Sequence, residues 1–152
     1  MMSRTKAMQL SDLVLAIFRL NGALIDWGNE FVAPEGLSSA RWQMLGAIAI
    51  AERPLTVPQI AANMGMTRQG AQKQVNQLVE DGLMQSQVNP IHQRSPLYEL
   101  TQRGQAVHAA IYERWIAHAT QTAAKIKGTD LKAFTDIVAT LTAVYSKEID
   151  AP

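Results

Sequence analysis

Apolar residues recur along the first part of the chain at alternating intervals of three and four, at Leu10, Leu13, Ile17, Leu20, Leu24, Trp27 and Phe31. That spacing predicts one helix of about three heptads whose stripe needs a partner. Val14, Phe18 and Ile25 widen the stripe, so the helix is expected to touch something on more than one side. It should end near Ala33-Pro34, because the residue before a proline is pushed out of helical geometry. The alternation returns at the far end in Leu131, Phe134, Val138, Leu141 and Tyr145, a last helix expected to be capped by Thr129. Before it, a helix is expected from a Thr101 cap to Lys127-Gly128, with Val107, Ile111, Trp115, His118 and Ile126 near one face.

Between these long patterns the elements shorten. Ser38 is a good N-cap for a helix carrying Trp42, Leu45 and Ile48-Ala49, which Pro54 stops, and Leu55-Thr56 reads as a brief extended piece. Thr56-Val57-Pro58-Gln59 has the form of a capping box, followed by inward-facing Ile60 and Ala61 and closed at Met64-Gly65. Thr67 then caps a helix with the apolar stripe Ala71, Val75, Leu78 and Val79, ended by Gly82 as a left-handed C-terminal cap. Beyond Gly82 the period falls toward two over Leu83 to Val88 and Leu97 to Leu100, around the turn-rich Asn89 to Pro96. That is a hairpin with a polar, proline-pinned tip in solvent.

Two short helices joined by a tight turn at Gly65 and followed directly by a hairpin make a helix-turn-helix with a wing. At about 100° per residue, the four apolar positions of the second helix fall within one 100° sector, and Gln69, Gln72, Lys73 and Asn76 fill the opposite one. Amides pair a donor with an acceptor and bind adenine bidentately in a major groove, and lysine serves phosphate or guanine. A merely solvated face would more commonly carry Glu and Lys. Thr67 and Arg68 stand at the helix N-terminus, where free N–H groups favour a phosphate, although Thr67 also reads as a plain cap. At the hairpin tip Arg94 is placed to reach a minor groove, with His92, and less so Gln93 and Ser95, as phosphate contacts.

Composition narrows the chemistry further. The 152 residues carry 14 Lys plus Arg against 13 Asp plus Glu, which excludes a polycation, so attraction to phosphate must be local. Residues 53–103 alone are net positive, with five bases against three acids. The absence of cysteine removes disulfide scaffolds, thiolate zinc sites, cysteine nucleophiles and thiol-based redox sensing. Gly65 and Gly70 have Walker A spacing, but Ala71-Gln72 replaces Lys-Ser/Thr, and there is no Gly-x-Ser-x-Gly or His-Glu-x-x-His. His108 and His118 lie off a common helical face, so no metal site is expected, nor an enzyme. The longest early apolar run, Leu13 to Phe18, is cut by Asp12 and Arg19 and reads as too short for a signal peptide or a membrane helix, so the expectation is a soluble cytoplasmic protein.

The chain resembles the MarR family of winged-helix transcriptional regulators. The resemblance rests on Leu37-Ser38-Ser39-Ala40-Arg41-Trp42-Gln43-Met44-Leu45, Leu55-Thr56-Val57-Pro58-Gln59-Ile60-Ala61, Gly82-Leu83-Met84 and Leu97-Tyr98-Glu99-Leu100-Thr101-Gln102-Arg103-Gly104, and it covers nearly the whole chain. It implies a mainly α fold, a winged helix-turn-helix over 37–103 with a two- to three-stranded wing, flanked by dimerisation helices at 1–34 and 104–152. It implies a homodimer that binds a pseudo-palindromic operator in double-stranded DNA, usually as a repressor, without a cofactor, and is released by a small, often aromatic effector. Thr67 through Asn76 would then enter the major groove and Arg94 would sit at the wing tip. The family wing typically reads Asp-Arg-Arg; here it is His92-Gln93-Arg94, one base and one orienting carboxylate fewer. The other readings left open are a winged-helix module that docks on protein and a bare ligand-binding dimer.

Overall fold

A computed structural model describes residues 3–146. The order of elements is α1 (Lys6–Phe31), a 3₁₀ turn (Ala33–Glu35), α2 (Ser39–Ala51), α3 (Val57–Met64), α4 (Arg68–Glu80), β1 (Met84–Gln87), β2 (Leu97–Leu100), α5 (Gln102–Ala123) and α6 (Gly128–Tyr145). β1 and β2 are antiparallel, with Met84 opposite Leu100 and Gln87 opposite Leu97. Leu55 adds a single bridge to Tyr98, the third strand of the wing in its shortest form. The fold is the mainly α winged helix expected of the chain.

Two compact units divide the chain, one running through Gln105 and the other beginning at Ala106. In the first, Met44, Leu45, Leu55, Ile60, Val75, Leu78 and Met84 are fully buried, so the core is shared by α2, α3, α4 and the hairpin. α1 is fastened to α2 by polar contacts: the Ser39 hydroxyl donates to the Ile25 carbonyl at 2.6 Å, and the Ser39 N–H donates to Asn29 Oδ1 at 2.8 Å. Gly28 makes room for that hydroxyl, since a Cβ there would lie 2.3 Å from Ser39 Oγ. Trp27 stacks on Phe31 at 4.6 Å, and Phe31 meets Trp42 at 5.5 Å, so the stripe of α1 continues into α2 as an aromatic row. The segment 1–34 is thus bonded to the winged helix at its C-terminal end. The second unit holds the rest of α5 and α6; there Ile111 is buried, and burial holds the His108 imidazole below its ordinary pKa. Residues 1, 2 and 147–152 of the flanking segments lie outside the described residues.

Three expectations are corrected. α5 ends at Ala123, so Ile126 lies in the following turn and is exposed. There the Lys125 and Ile126 N–H groups bond three residues back, to Thr122 and Ala123, and this tighter turn takes the chain out of the helix before Lys127-Gly128. α6 begins at Gly128 with Lys127 as its cap residue and no side-chain cap bond, so Thr129 is inside the helix. The run Leu13 to Phe18 belongs to a helix of 26 residues containing an 18-residue window of mean hydropathy 1.4, which by length and composition is long and apolar enough to cross a membrane. Asp12 and Arg19 interrupt the run in sequence but are single positions on the cylinder.

Candidate nucleic-acid interface

The capping devices that define the helix-turn-helix form as read. Thr56 Oγ1 accepts the Gln59 N–H at 3.3 Å, and Gln59 Oε1 accepts the Thr56 N–H at 2.9 Å, a reciprocal box at the start of α3. Gly65 ends α3 at φ 64°, a left-handed conformation that glycine adopts without a side-chain penalty. Thr67 Oγ1 then accepts the Gly70 N–H at 3.0 Å and starts α4 only two residues later. At Gly70 a Cβ would lie 3.0 Å from that hydroxyl, a tight contact that the hydroxyl would have to relieve by a few tenths of an ångström. At the other end, Gly82 (φ 76°) closes a Schellman motif, its N–H on the Val79 carbonyl at 3.0 Å and the Leu83 N–H on the Leu78 carbonyl at 2.9 Å.

With both ends fixed, the sides of α4 are fixed too. Ala71, Val75 and Leu78 are fully buried, whereas Thr67, Arg68, Gln69, Lys73 and Asn76 are exposed and Gln72 is half-buried. Val79, expected in the stripe, is 38% exposed, because at the edge of the buried sector it clears the core. Gln72 Nε2 donates to Asn76 Oδ1 at 2.8 Å, so the two amides hold each other in one orientation. A cleft of about 370 Å³ runs from the start of α3 to the wing, lined by Val57, Pro58, Arg68, Gln69, Gln72 and Arg94 among others. α4 and the wing arginine therefore border one continuous recess, with two guanidinium groups on it.

His92, Gln93 and Arg94 are exposed at the hairpin tip, and Ser95 is half-buried. The residue that organises the tip is Asn89, which the sequence reading passed over as one of several turn formers. It is 7% exposed; its Nδ2 donates to the Ser95 carbonyl at 2.9 Å, and its Oδ1 accepts the Ile91 N–H at 3.1 Å. The Oδ1 bond two residues onward is an Asx-turn, the signal that Asn-Pro in a loop offers in advance. Asn89→Ala is expected to free the loop while leaving the core folded. Faster amide exchange confined to residues 89–95, with an unchanged denaturation midpoint, would check this.

Residues 35–95 match the family model described as MarR family. A protein of Mycobacterium tuberculosis is 41% identical over 128 residues, which is 84% of this chain and 88% of that protein. A crystal structure of a MarR family transcription regulator is 25% identical, with a TM-score of 0.75 over 92% of each chain. The chain belongs to the MarR family. As a MarR family member it is a DNA-binding transcription regulator and not an enzyme. Two other MarR-fold structures carry ligands. A mutant MarR from E. coli, complexed with operator DNA, is 16% identical with a TM-score of 0.72 over 91% of this chain and 99% of its own. CouR from Rhodococcus jostii, bound to p-coumaroyl-CoA, is 21% identical with a TM-score of 0.75 over 91% and 96%.

Proposed function

We propose that the protein is a cytoplasmic, homodimeric repressor. One α4 from each subunit enters the major groove of a pseudo-palindromic operator, Arg94 tracks the adjacent minor groove, and a small aromatic ligand releases the complex. The observation that carries this is the division of α4: Ala71, Val75 and Leu78 are sealed in the core while Arg68, Gln69, Lys73 and Asn76 stand open on the other side. Thr67, Gln72 and His92 complete the proposed contacts. The likeness to MarR bound to operator DNA supports the groove assignment, and the likeness to CouR bound to p-coumaroyl-CoA supports a ligand with an aromatic acyl group.

The terminal helices supply the argument for a second copy. Phe18 is 69% exposed, and Leu15, Leu20, Leu24, Phe134, Ile137 and Val144 are also open to solvent, far more apolar surface than single scattered residues. Lipid is a poorer cover for α1, because Asp12, Arg19 and Asp26 recur at seven-residue intervals down one side of it, and charges are costly at membrane depth. A partner helix would cover the apolar stripe and leave that side in water.

Operator affinity is expected to fall steeply and linearly on a log–log plot against salt, as release of several counterions requires, and half-sites should lie roughly 34–36 Å apart. Sedimentation should give twice the chain mass, and Phe18→Glu should give the single chain mass together with loss of operator binding. A flat salt response, or a wild type that sediments as one chain while binding a single unsymmetrical site, would overturn the reading.

A further inference from the structure

Among the described residues the most exposed large aliphatic side chain is Ile91, at 92%, on the wing, with Val88 at 81% where the loop begins. Leaving an isoleucine in water forgoes the stabilisation of burial, so its surroundings matter. The loop holds it there. Asn89 grips the Ile91 N–H at 3.1 Å and the Ser95 carbonyl at 2.9 Å, the Ser95 N–H closes on the His92 carbonyl at 3.1 Å, and Pro90 fixes the intervening backbone dihedral. This is a preorganised tip that presents an apolar side chain outward.

Charge says what the tip faces. From 88 to 96 there is no acidic residue, and Arg94 is the single formal charge, bordering the same cleft as Arg68, Gln69 and Gln72. Three residues of chain reach at most about 10 Å, and less in a turn, while the minor groove is roughly 6 Å wide. With Arg94 at that groove, Ile91 lies within reach of its floor. Branched aliphatic side chains inserted from this side part neighbouring base pairs, and pyrimidine–purine steps open at least cost.

We propose that Ile91 is an apolar wedge that enters the minor groove beside Arg94 and opens a pyrimidine–purine step, giving the wing a sequence preference and a bend independent of hydrogen bonds. The inference rests on the operator-binding reading above. A wing with one base in place of two would thereby gain through shape what it lacks in charge.

The test uses the tightest duplex recovered from genomic fragments, with 2-aminopurine placed at each step under the wing, together with bend angles from permuted fragments. Wild-type protein should raise the fluorescence at one pyrimidine–purine step and bend the duplex. Ile91→Ala should abolish the fluorescence rise, reduce the bend and weaken affinity by about tenfold with an unchanged salt slope, and Ile91→Leu should restore most of the signal. Arg94→Ala should lower the salt slope. Equal fluorescence, bend and affinity for wild type and Ile91→Ala would overturn the wedge alone, and would favour a wing tip that docks on protein. A wild type with no salt-dependent binding to any duplex would overturn the wedge together with the reading it rests on.

Discussion

Gln72→Ala is expected to lose about ten- to a hundredfold in discrimination at one operator base pair, since a good bidentate amide–adenine contact is worth about 1–3 kcal/mol. Asn76→Ala should do the same at a neighbouring pair. The two losses should fall short of additivity when combined, because Gln72 donates to Asn76 at 2.8 Å and each holds the other in place. Lys73→Ala should behave differently, weakening operator and random duplex alike and lowering the salt slope by about one. Titrations against operators with each base pair replaced in turn distinguish these patterns. Equal losses on operator and random DNA for Gln72→Ala and Asn76→Ala would show that the reading face lies elsewhere on α4.

The largest effect on stability is expected at Gly104, which is not among the residues proposed to contact DNA. A Cβ there would stand 2.0 Å from the Leu83 carbonyl oxygen and 2.9 Å from its carbon, so backbone and not a flexible side chain is in the way. Leu83 cannot retreat freely. Its N–H closes the α4 cap on Leu78 at 2.9 Å, and its carbonyl accepts the Thr101 N–H at 3.1 Å. Overpacking of this kind costs about 1–3 kcal/mol, occasionally more, and Gly104→Ala should belong to the upper part of that range. Gly46→Ala is the matched control: nothing lies within 4 Å of its Cβ, and a helix-interior alanine should be neutral or stabilising by up to about 1 kcal/mol. Urea denaturation of both variants checks the pair, and an unshifted midpoint for Gly104→Ala would show that the helix start and the hairpin move apart at little cost.

What was legible in the sequence was what short-range chemistry decides. Ser38, Thr56 and Thr67 cap the helices they were expected to cap, and Gly65 and Gly82 take the left-handed turns, because each bond joins residues at most five apart. The open side of α4 followed from helical period alone. The errors near residues 123–129 have the same origin: no proline or glycine marks the end of α5, and a threonine beside Lys127-Gly128 looked like a cap although Lys127 holds that position. Illegible were the contacts made across the chain. Nothing local links Ser39 to the Ile25 carbonyl, or Gly104 to Leu83, and the burial of Asn89 depends on the strands that bring Ser95 back to it. The Gln72–Asn76 bond lay within reach of a four-residue spacing, but solvent competes for both amides, and a sequence does not say which partner wins.

Thr67 shows how one oxygen can serve two masters. As an acceptor it is committed to the Gly70 amide, and in the proposed complex its own proton would go to a phosphate oxygen at the helix start. Folding alone would be content with aspartate at this position, an equally good cap that has no proton to give and would repel an incoming polyanion. On the operator-binding reading proposed above, a hydroxyl there would serve the phosphate and the helix together, where a carboxylate would serve the helix alone.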